Sequence, residues 1–158
     1  MLFRSLGALA VAAGSSARMT AAVPAFGVAE DAGKYAEDGG VAVARDLGAA
    51  GMTVERWTLL FDPANPAAIG EQVFLDRAVP KAVANGQRIV LSVYQRGAAV
   101  PDADAFCSWV GAVASRYPSI RTFIIGNEVN ATRFWSPQHT ADDPDAGPRS
   151  YEKEIGRA

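Results

Sequence analysis

The feature that most constrains the fold is an alternation of short apolar runs with segments of helical period. The apolar runs, rich in β-branched and aromatic residues, predict strands at residues 24–28, 53–60, 88–94 and 122–126. The segments between and after them predict helices at residues 37–50, 66–84, 102–117 and 150–157. Strands separated by helices pair in parallel through right-handed crossovers. The pattern therefore predicts an α/β fold of about four βα units with parallel strands.

The chain length limits what these units can build. A complete eight-fold α/β barrel needs about 250 residues, and this chain has 158. The prediction is therefore a partial (β/α)8 TIM barrel. The alternative is an open doubly wound sheet, which usually carries a Gly-rich phosphate loop after its first strand. Gly27 and Gly33 do not form that motif, so the sequence gives little support to nucleotide binding.

Composition excludes several classes of partner. A formal net charge of -2 leaves no basic face for nucleic acid. No segment approaches the roughly 18 consecutive apolar residues of a membrane span. Cys107 is the only cysteine and His139 the only histidine, so neither a disulfide within the chain nor a cysteine- or histidine-based metal site is expected. We predict no metal and no cofactor, a buried structural thiol at Cys107, and a surface position for His139.

The first residues predict a domain boundary. Arg4 precedes a small apolar stretch at residues 6–13 and then Gly14-Ser-Ser-Ala17, a pattern typical of a secretory signal cleaved after Ala17 or near Ala22. We expect residues 1–22 to be a signal peptide or a disordered leader, and residues 23–158 to be the folded domain. A signal peptide predicts a secreted or cell-surface protein, and a disordered leader predicts a cytoplasmic one.

The richest chemistry follows the fourth predicted strand. The run Arg121-Thr-Phe-Ile-Ile-Gly-Asn-Glu-Val-Asn130 delivers Asn127, Glu128 and Asn130 together at the carboxyl end of a buried strand. Barrel enzymes build their catalytic sites at this end. Tyr94 and Trp135 follow the third and fourth strands, where aromatic rings could stack on the apolar faces of sugars. The alternative for Trp135 is a hydrophobic plug beneath the loop.

Gly126-Asn-Glu-Val-Asn130 resembles the strand-four signature of clan A glycoside hydrolases, which include many cellulases, mannanases and xylosidases. Val54-Glu-Arg-Trp57 is similar to their Arg-bearing second strand, and the resemblance covers residues 26–130, about two-thirds of the chain. It implies the N-terminal half of a TIM-barrel catalytic domain that hydrolyses a β-linked oligo- or polysaccharide with retention.

The resemblance also implies roles for particular residues. Glu128 would be the general acid/base, Asn127 would bind the sugar 2-hydroxyl, and Arg56 would orient a carboxylate across the barrel mouth. Asn130 would belong to the same signature. Two positions depart from the family pattern. Val129 stands where the family usually has proline, and no histidine lies near Gln95, where family members often have one. The family nucleophile is a glutamate on strand seven, for which this chain offers no counterpart, so we expect a truncated site.

Several alternatives stay open. Glu128 could be a solvated loop carboxylate, and Arg56 could pair with Glu55 or with an acid on a helix. The strand-end acids Glu30, Asp31 and Asp62 could oppose Glu128 in an inverting mechanism, which needs carboxyl groups about 6.5–9.5 Å apart. The rival functions are a non-catalytic carbohydrate-binding remnant and an unrelated small α/β domain. A half barrel leaves strand edges unpaired, so self-association through those edges is also expected.

Overall fold

The computed structural model describes residues 24–156, so the leader predicted at residues 1–22 lies outside the described residues. Strands and helices alternate along the described chain. In order they are β1 (Gly27–Ala29), α1 (Ala32–Tyr35), α2 (Val41–Ala49), β2 (Val54–Phe61), α3 (Gln72–Ala84), β3 (Arg88–Gln95), α4 (Ala103–Arg116), β4 (Thr122–Ile125) and α5 (Ala146–Ile155).

The strands form one four-stranded sheet in the order β1-β2-β3-β4. Every neighbouring pair is parallel, and Leu59, Val93 and Ile125 lie in register across β2, β3 and β4. The α/β class and the parallel strands are therefore confirmed. The order contains no reversal, whereas a doubly wound sheet reverses at its switch point. All four carboxyl ends meet at one edge, which places the loops that follow them side by side.

The two faces of the sheet differ in burial. Side chains that include Trp57, Leu59, Leu91 and Val93 form a buried core with α3 and α4. Each large apolar side chain buried in this way stabilises the fold by about 1.5–3 kcal/mol. Because successive side chains on a strand point to opposite faces, the alternate positions lie on the other side. We call that side the open face; its residues are Arg56, Thr58, Leu60, Val90, Ser92, Tyr94, Thr122 and Ile124.

The predicted first helix, at residues 37–50, is wrong at its beginning. Gly40 adopts φ 83° immediately before α2, and the Asp38 carboxylate accepts hydrogen bonds from the backbone N–H groups of Gly40 at 2.8 Å and Ala42 at 2.9 Å. This turn starts the helix at Val41. The short helix α1, which the sequence pattern did not predict, lies before it.

Helix α3 differs from the predicted helix at residues 66–84 in several details. It begins at Gln72 rather than residue 66. A proline at position 80 predicts a kink or break within this segment, but the helix runs through Pro80 without breaking. Its buried stripe is Leu75, Ala78, Val79 and Ala82. The sequence pattern predicts that Val73, Phe74, Ala78 and Val79 point inward. This is wrong for Val73, which is 69% exposed, because it lies about 200° around the helix from Leu75.

Smaller predictions near the carboxyl end have mixed outcomes. Helix α5 begins at Ala146, four residues before the predicted start. Cys107 is half-buried rather than fully buried, and His139 is exposed as predicted. Within the described residues, none of the helices combines the length and apolarity that crossing a membrane requires.

Candidate active site

A glycine turn ends β4 and directs the residues that follow. Gly126 adopts φ 80°, a left-handed conformation that side chains disfavour, and its N–H donates to the Val93 carbonyl at 2.8 Å. A Cβ at this position would lie 2.7 Å from Val129 Cγ1, so the space excludes one as well. Glycine is thus required here for two independent reasons, and the turn carries the chain from β4 into Asn127 and Glu128.

Glu128 lies in the loop directly after this turn. Its φ is 42°, the only positive φ of a non-glycine residue in the described chain. The Arg133 guanidinium contacts the carboxylate at 2.5 Å, and the two side chains are 70% and 51% exposed for Arg133 and Glu128 respectively. Arg133 also lies over the Phe134 ring, 4.6 Å from its centroid. The predicted acid/base is therefore solvent-accessible and paired with a cation.

The amide side chains of the signature have separate surroundings. Asn127 is half-buried at the end of the sheet, and Asn130 is exposed. Asn130 lines a cavity of about 270 Å³ between this loop and α5. The loop therefore presents Asn127 beside the strand end and Asn130 toward the helix.

Tyr94 lies at the carboxyl end of β3 on the open face. It is half-buried, and its ring meets Phe134 edge-on with centroids 6.3 Å apart. The Gln95 amide donates to the Phe134 carbonyl at 2.6 Å, and Ser136 N–H donates to the Ala98 carbonyl at 2.7 Å. These bonds hold the loop after β4 against the end of β3. The aromatic pair is therefore fixed close to the Asn127–Glu128 turn.

Trp135 packs inside the protein rather than facing the strand-end loops. It is 1% exposed, its Nε1–H donates to Ser150 Oγ at 2.7 Å, and its ring packs edge-on against Tyr151 at 5.6 Å. This is the plug alternative, in which the ring joins the loop to α5. In this conformation it offers no face to a sugar.

Arg56 lies on the open face but not at the carboxyl end of β2. It is three residues before Leu59, which is level with Ile125 at the end of β4, a separation of about 10 Å along the strand. Within the described residues its Nε is buried without a hydrogen-bond partner. Arg56 and Glu128 therefore lie at different levels of the sheet.

Glu55 does not pair with Arg56, because the two side chains point to opposite faces. Glu55 is 1% exposed on the helix side, where it accepts a hydrogen bond from Trp57 Nε1 at 3.1 Å. Burial raises the pKa of this carboxyl, and the Trp57 hydrogen bond opposes the shift. The alternative of a Glu55–Arg56 pair is wrong.

The other strand-end acids hold local structure. Glu30 accepts from Ala32 N–H at 2.8 Å, Asp62 accepts from Ala64 N–H at 3.0 Å, and Asp31 accepts from Thr58 N–H at 2.8 Å. Each carboxylate therefore stabilises a turn or a strand edge. Their contacts are those of loop-closing side chains and give no sign of a second catalytic group opposite Glu128.

A buried ionic cluster at the end of β1 was missed by the sequence reasoning. Lys34 is 0% exposed, and its Nζ lies 2.6 Å from Glu71 and 3.3 Å from Asp31. It also donates to the Thr58 carbonyl, and Tyr35 OH donates to Glu71 at 2.8 Å. Only the spacing of Asp31 and Lys34 within one helical turn could have indicated it.

Two side chains of the cluster bind the backbone of β2 beyond the end of β1. Where β1 has ended, Asp31 accepts from the backbone N–H of Thr58 and Lys34 donates to its carbonyl. Burial acts to lower the pKa of Lys34, but hydrogen bonds with Glu71 and Tyr35 and the charges of Glu71 and Asp31 outweigh it, and the pKa is raised. Lys34 is thus a charged structural residue.

No set of three or more histidine, cysteine or acidic side chains within residues 24–156 is placed to hold a metal ion. Comparisons with protein-family models, curated proteins and solved structures found no match to the chain. The geometry of the strand ends and the sequence signature are therefore the features that indicate a function.

Proposed function

We propose that the chain is the N-terminal half of a β-glycoside hydrolase of the clan A type, with a partial TIM barrel as its fold. The observation that carries the proposal is the position of Asn127 and Glu128. They follow a glycine turn at the carboxyl end of β4, in a parallel sheet whose strands lie in chain order. Active sites of α/β barrels lie at this end of the sheet.

The proposed chemistry assigns one half of the reaction to this chain. Glu128 gives a proton to the leaving oxygen as the glycosidic bond breaks, and its carboxylate later takes a proton from the attacking water. Asn127, half-buried beside it, donates to the sugar 2-hydroxyl, a hydrogen bond that strengthens in the transition state. Tyr94 and Phe134 offer aromatic edges and faces to the sugar ring.

The second carboxylate, which attacks or stabilises the anomeric carbon, is not assigned to any residue here. Glu30, Asp31 and Asp62 are engaged in local hydrogen bonds. In the proposed retaining mechanism the nucleophile comes from a complementary half of the barrel. Arg56, on the open face and without a partner for its Nε among the described residues, would then face that half.

Two exposed edges support the self-association proposed for the isolated chain. β1 and β4 are the edge strands of the sheet, and Ile124 on the open face is 39% exposed. Unpaired strand edges are templates for pairing with another chain. Light scattering over a range of protein concentrations measures this directly, and a monodisperse monomer throughout would count against it.

The test of the proposed function is binding and turnover of β-glycosides by the purified chain. Methyl β-glycosides and β-linked disaccharides of glucose, xylose and mannose should shift the NMR signals of Asn127, Glu128 and Tyr94. Where the purified protein hydrolyses aryl β-glycosides, the Glu128→Gln variant should lose that hydrolysis. Glu37→Gln, at an exposed position away from the site, is the matched control. A folded chain that binds none of these sugars would overturn the proposal.

The second candidate is a non-catalytic carbohydrate-binding domain. The pairing of Glu128 with Arg133 at the surface favours it, because a carboxylate held by a cation can bind sugar hydroxyls without transferring a proton. It predicts that Tyr94→Ala and Glu128→Gln both weaken glycan binding and that the wild-type chain hydrolyses no glycoside. The catalytic proposal predicts hydrolysis by the wild type that Glu128→Gln abolishes.

A further inference from the structure

Arg133 places a cation in solvent directly beside the proposed acid/base. Its guanidinium contacts the Glu128 carboxylate at 2.5 Å, and the arginine side chain is 70% exposed. The proposed reaction uses Glu128 and Asn127 and gives Arg133 no part. This cation is therefore available for a ligand that binds at the end of β4.

A second contact fixes the guanidinium independently of Glu128. It lies over the Phe134 ring, 4.6 Å from the centroid, in a cation–π arrangement. Phe134 is itself held by backbone hydrogen bonds, because its N–H donates to the Ala131 carbonyl at 2.9 Å and its carbonyl accepts from the Gln95 amide at 2.6 Å. Arg133 therefore keeps its place over the ring when it releases Glu128.

The ion pair between Arg133 and Glu128 is easy to exchange. Both side chains are more than half exposed, and ion pairs in solvent contribute little to stability because water competes for both charges. A guanidinium presents a planar fork of N–H donors that matches the two oxygens of a carboxylate. A carboxylate on a ligand can therefore take the place of Glu128 on Arg133.

We infer that Arg133 is a specificity residue that binds the carboxylate of an acidic sugar, so that the proposed hydrolase prefers β-linked uronides. The inference depends on the proposed function, because the role of Glu128 places the sugar. A general acid lies beside the leaving oxygen on the anomeric carbon. In a uronic acid the ring oxygen alone separates that carbon from C5, which bears the carboxylate. An arginine in contact with the acid is therefore within reach of this group.

The exchange would also prepare Glu128 for proton transfer. A carboxylate held by a guanidinium accepts hydrogen bonds, whereas a general acid must carry a proton. When the sugar carboxylate binds Arg133, Glu128 loses its cation and gains an anionic neighbour, and both changes favour a proton on Glu128. A neutral sugar leaves the ion pair in place.

The experiment compares sugars that differ in one substituent, by NMR titration of the full chain at low salt. Methyl β-glucuronide and methyl β-mannuronide carry a carboxylate where the corresponding glucoside and mannoside carry a hydroxymethyl group. The uronide of a recognised sugar should bind about 10-fold more tightly than its neutral counterpart, as one charged bidentate contact predicts. Arg133→Gln should reduce this preference to less than about 2-fold. Arg149→Gln, an exposed arginine 3.4 Å from Asp143, is the control and should retain it.

A further variant tests the exchange itself. Glu128→Gln removes the carboxylate that competes with the ligand for Arg133. The ratio of uronide affinity to neutral-sugar affinity should therefore rise about 3-fold, even where both affinities fall. An arginine that only supported the loop would leave this ratio unchanged.

The outcomes separate this inference from the proposed function. Equal affinities for uronide and neutral sugar, or equal preferences in the two arginine variants, would overturn the role of Arg133, while binding of the neutral sugars would still support the hydrolase. Tighter binding of methyl β-glucoside 6-sulfate than of the glucuronide would overturn the carboxylate as the ligand. A folded chain that binds none of these sugars, nor methyl β-xyloside, would overturn the proposed function as well.

Discussion

The carboxyl ends of β1 and β4 each carry a charged pair, and the two pairs differ in almost every physical respect. At β1, Lys34 is 0% exposed and its ammonium lies 2.6 Å from Glu71. At β4, Arg133 and Glu128 are 70% and 51% exposed. The first pair also binds the backbone of Thr58, whereas the second connects two side chains in solvent.

The comparison indicates that the charged groups at the end of β1 stabilise the fold, whereas those at the end of β4 are available to bind a ligand. The β1 cluster binds the backbone of Thr58 at a level where β1 has already ended. The fold therefore depends on the charges of this cluster. Within residues 24–156 the β4 pair binds no backbone group. The shape of its loop comes from Gly126 and from Trp135 against α5. A carboxylate in such a position can exchange its cation for a ligand at little cost to the fold.

Removing the buried cation should give the largest effect. Lys34→Met keeps most of the length of the side chain but leaves Glu71 and Asp31 without their cation, and we expect a loss of about 3 kcal/mol in the free energy of unfolding. Urea denaturation measures it. Lys153→Met, exposed on α5, is the control and should change stability by less than about 0.5 kcal/mol. A loss below about 1 kcal/mol for Lys34→Met would mean that the cluster does not hold the strand edge.

The backbone at the β4 end should give the next largest effect. Gly126→Ala forces a side chain into φ 80° and against Val129, and we expect a loss of about 2 kcal/mol. Gly111→Ala, inside α4 with no atom within 4 Å of the new Cβ, should instead stabilise by about 0.5–1 kcal/mol. Thermal and urea unfolding of both variants measure the two signs. Equal effects would show that the turn does not require glycine.

The stability of the fold should depend on pH through Glu55, a buried acid whose only side-chain hydrogen-bond donor among the described residues is Trp57. Burial raises the pKa of Glu55 above its ordinary value of 4.5. Its contribution to stability is therefore full at lower pH and is lost as the pH rises through the raised folded-state pKa. Glu55→Gln removes this titration, so its stability should fall less than that of wild type between pH 4.5 and neutrality. Urea midpoints across that range measure it, and parallel pH profiles would contradict the assignment.

The sequence predicts what depends on neighbouring residues and misses what depends on distant ones. The apolar runs indicated the four strands, although β1 begins three residues later than predicted and ends at Ala29. Asn127 and Glu128 lie at the end of β4 because Gly126 is adjacent in the chain. The burial of Lys34 depends on Glu71, the residue that precedes α3, and that of Trp135 depends on Ser150 and Tyr151 across a long loop. None of these three partners is close enough in sequence to leave a periodic signal.

The exposed pair should give the smallest effect on stability. Arg133→Gln removes the cation from Glu128, and because both side chains are largely in solvent the loss should not exceed about 0.5 kcal/mol. Arg149→Gln, which removes the contacts of another exposed arginine with Asp143 at 3.4 Å and Asp145 at 4.0 Å, is the control and should change stability by a similar amount. Urea midpoints at low and high salt measure both, since salt screens exposed charges. A loss above about 1.5 kcal/mol for Arg133→Gln alone would show that this pair, like the one at Lys34, holds the fold. The contrast between the two strand ends would then disappear.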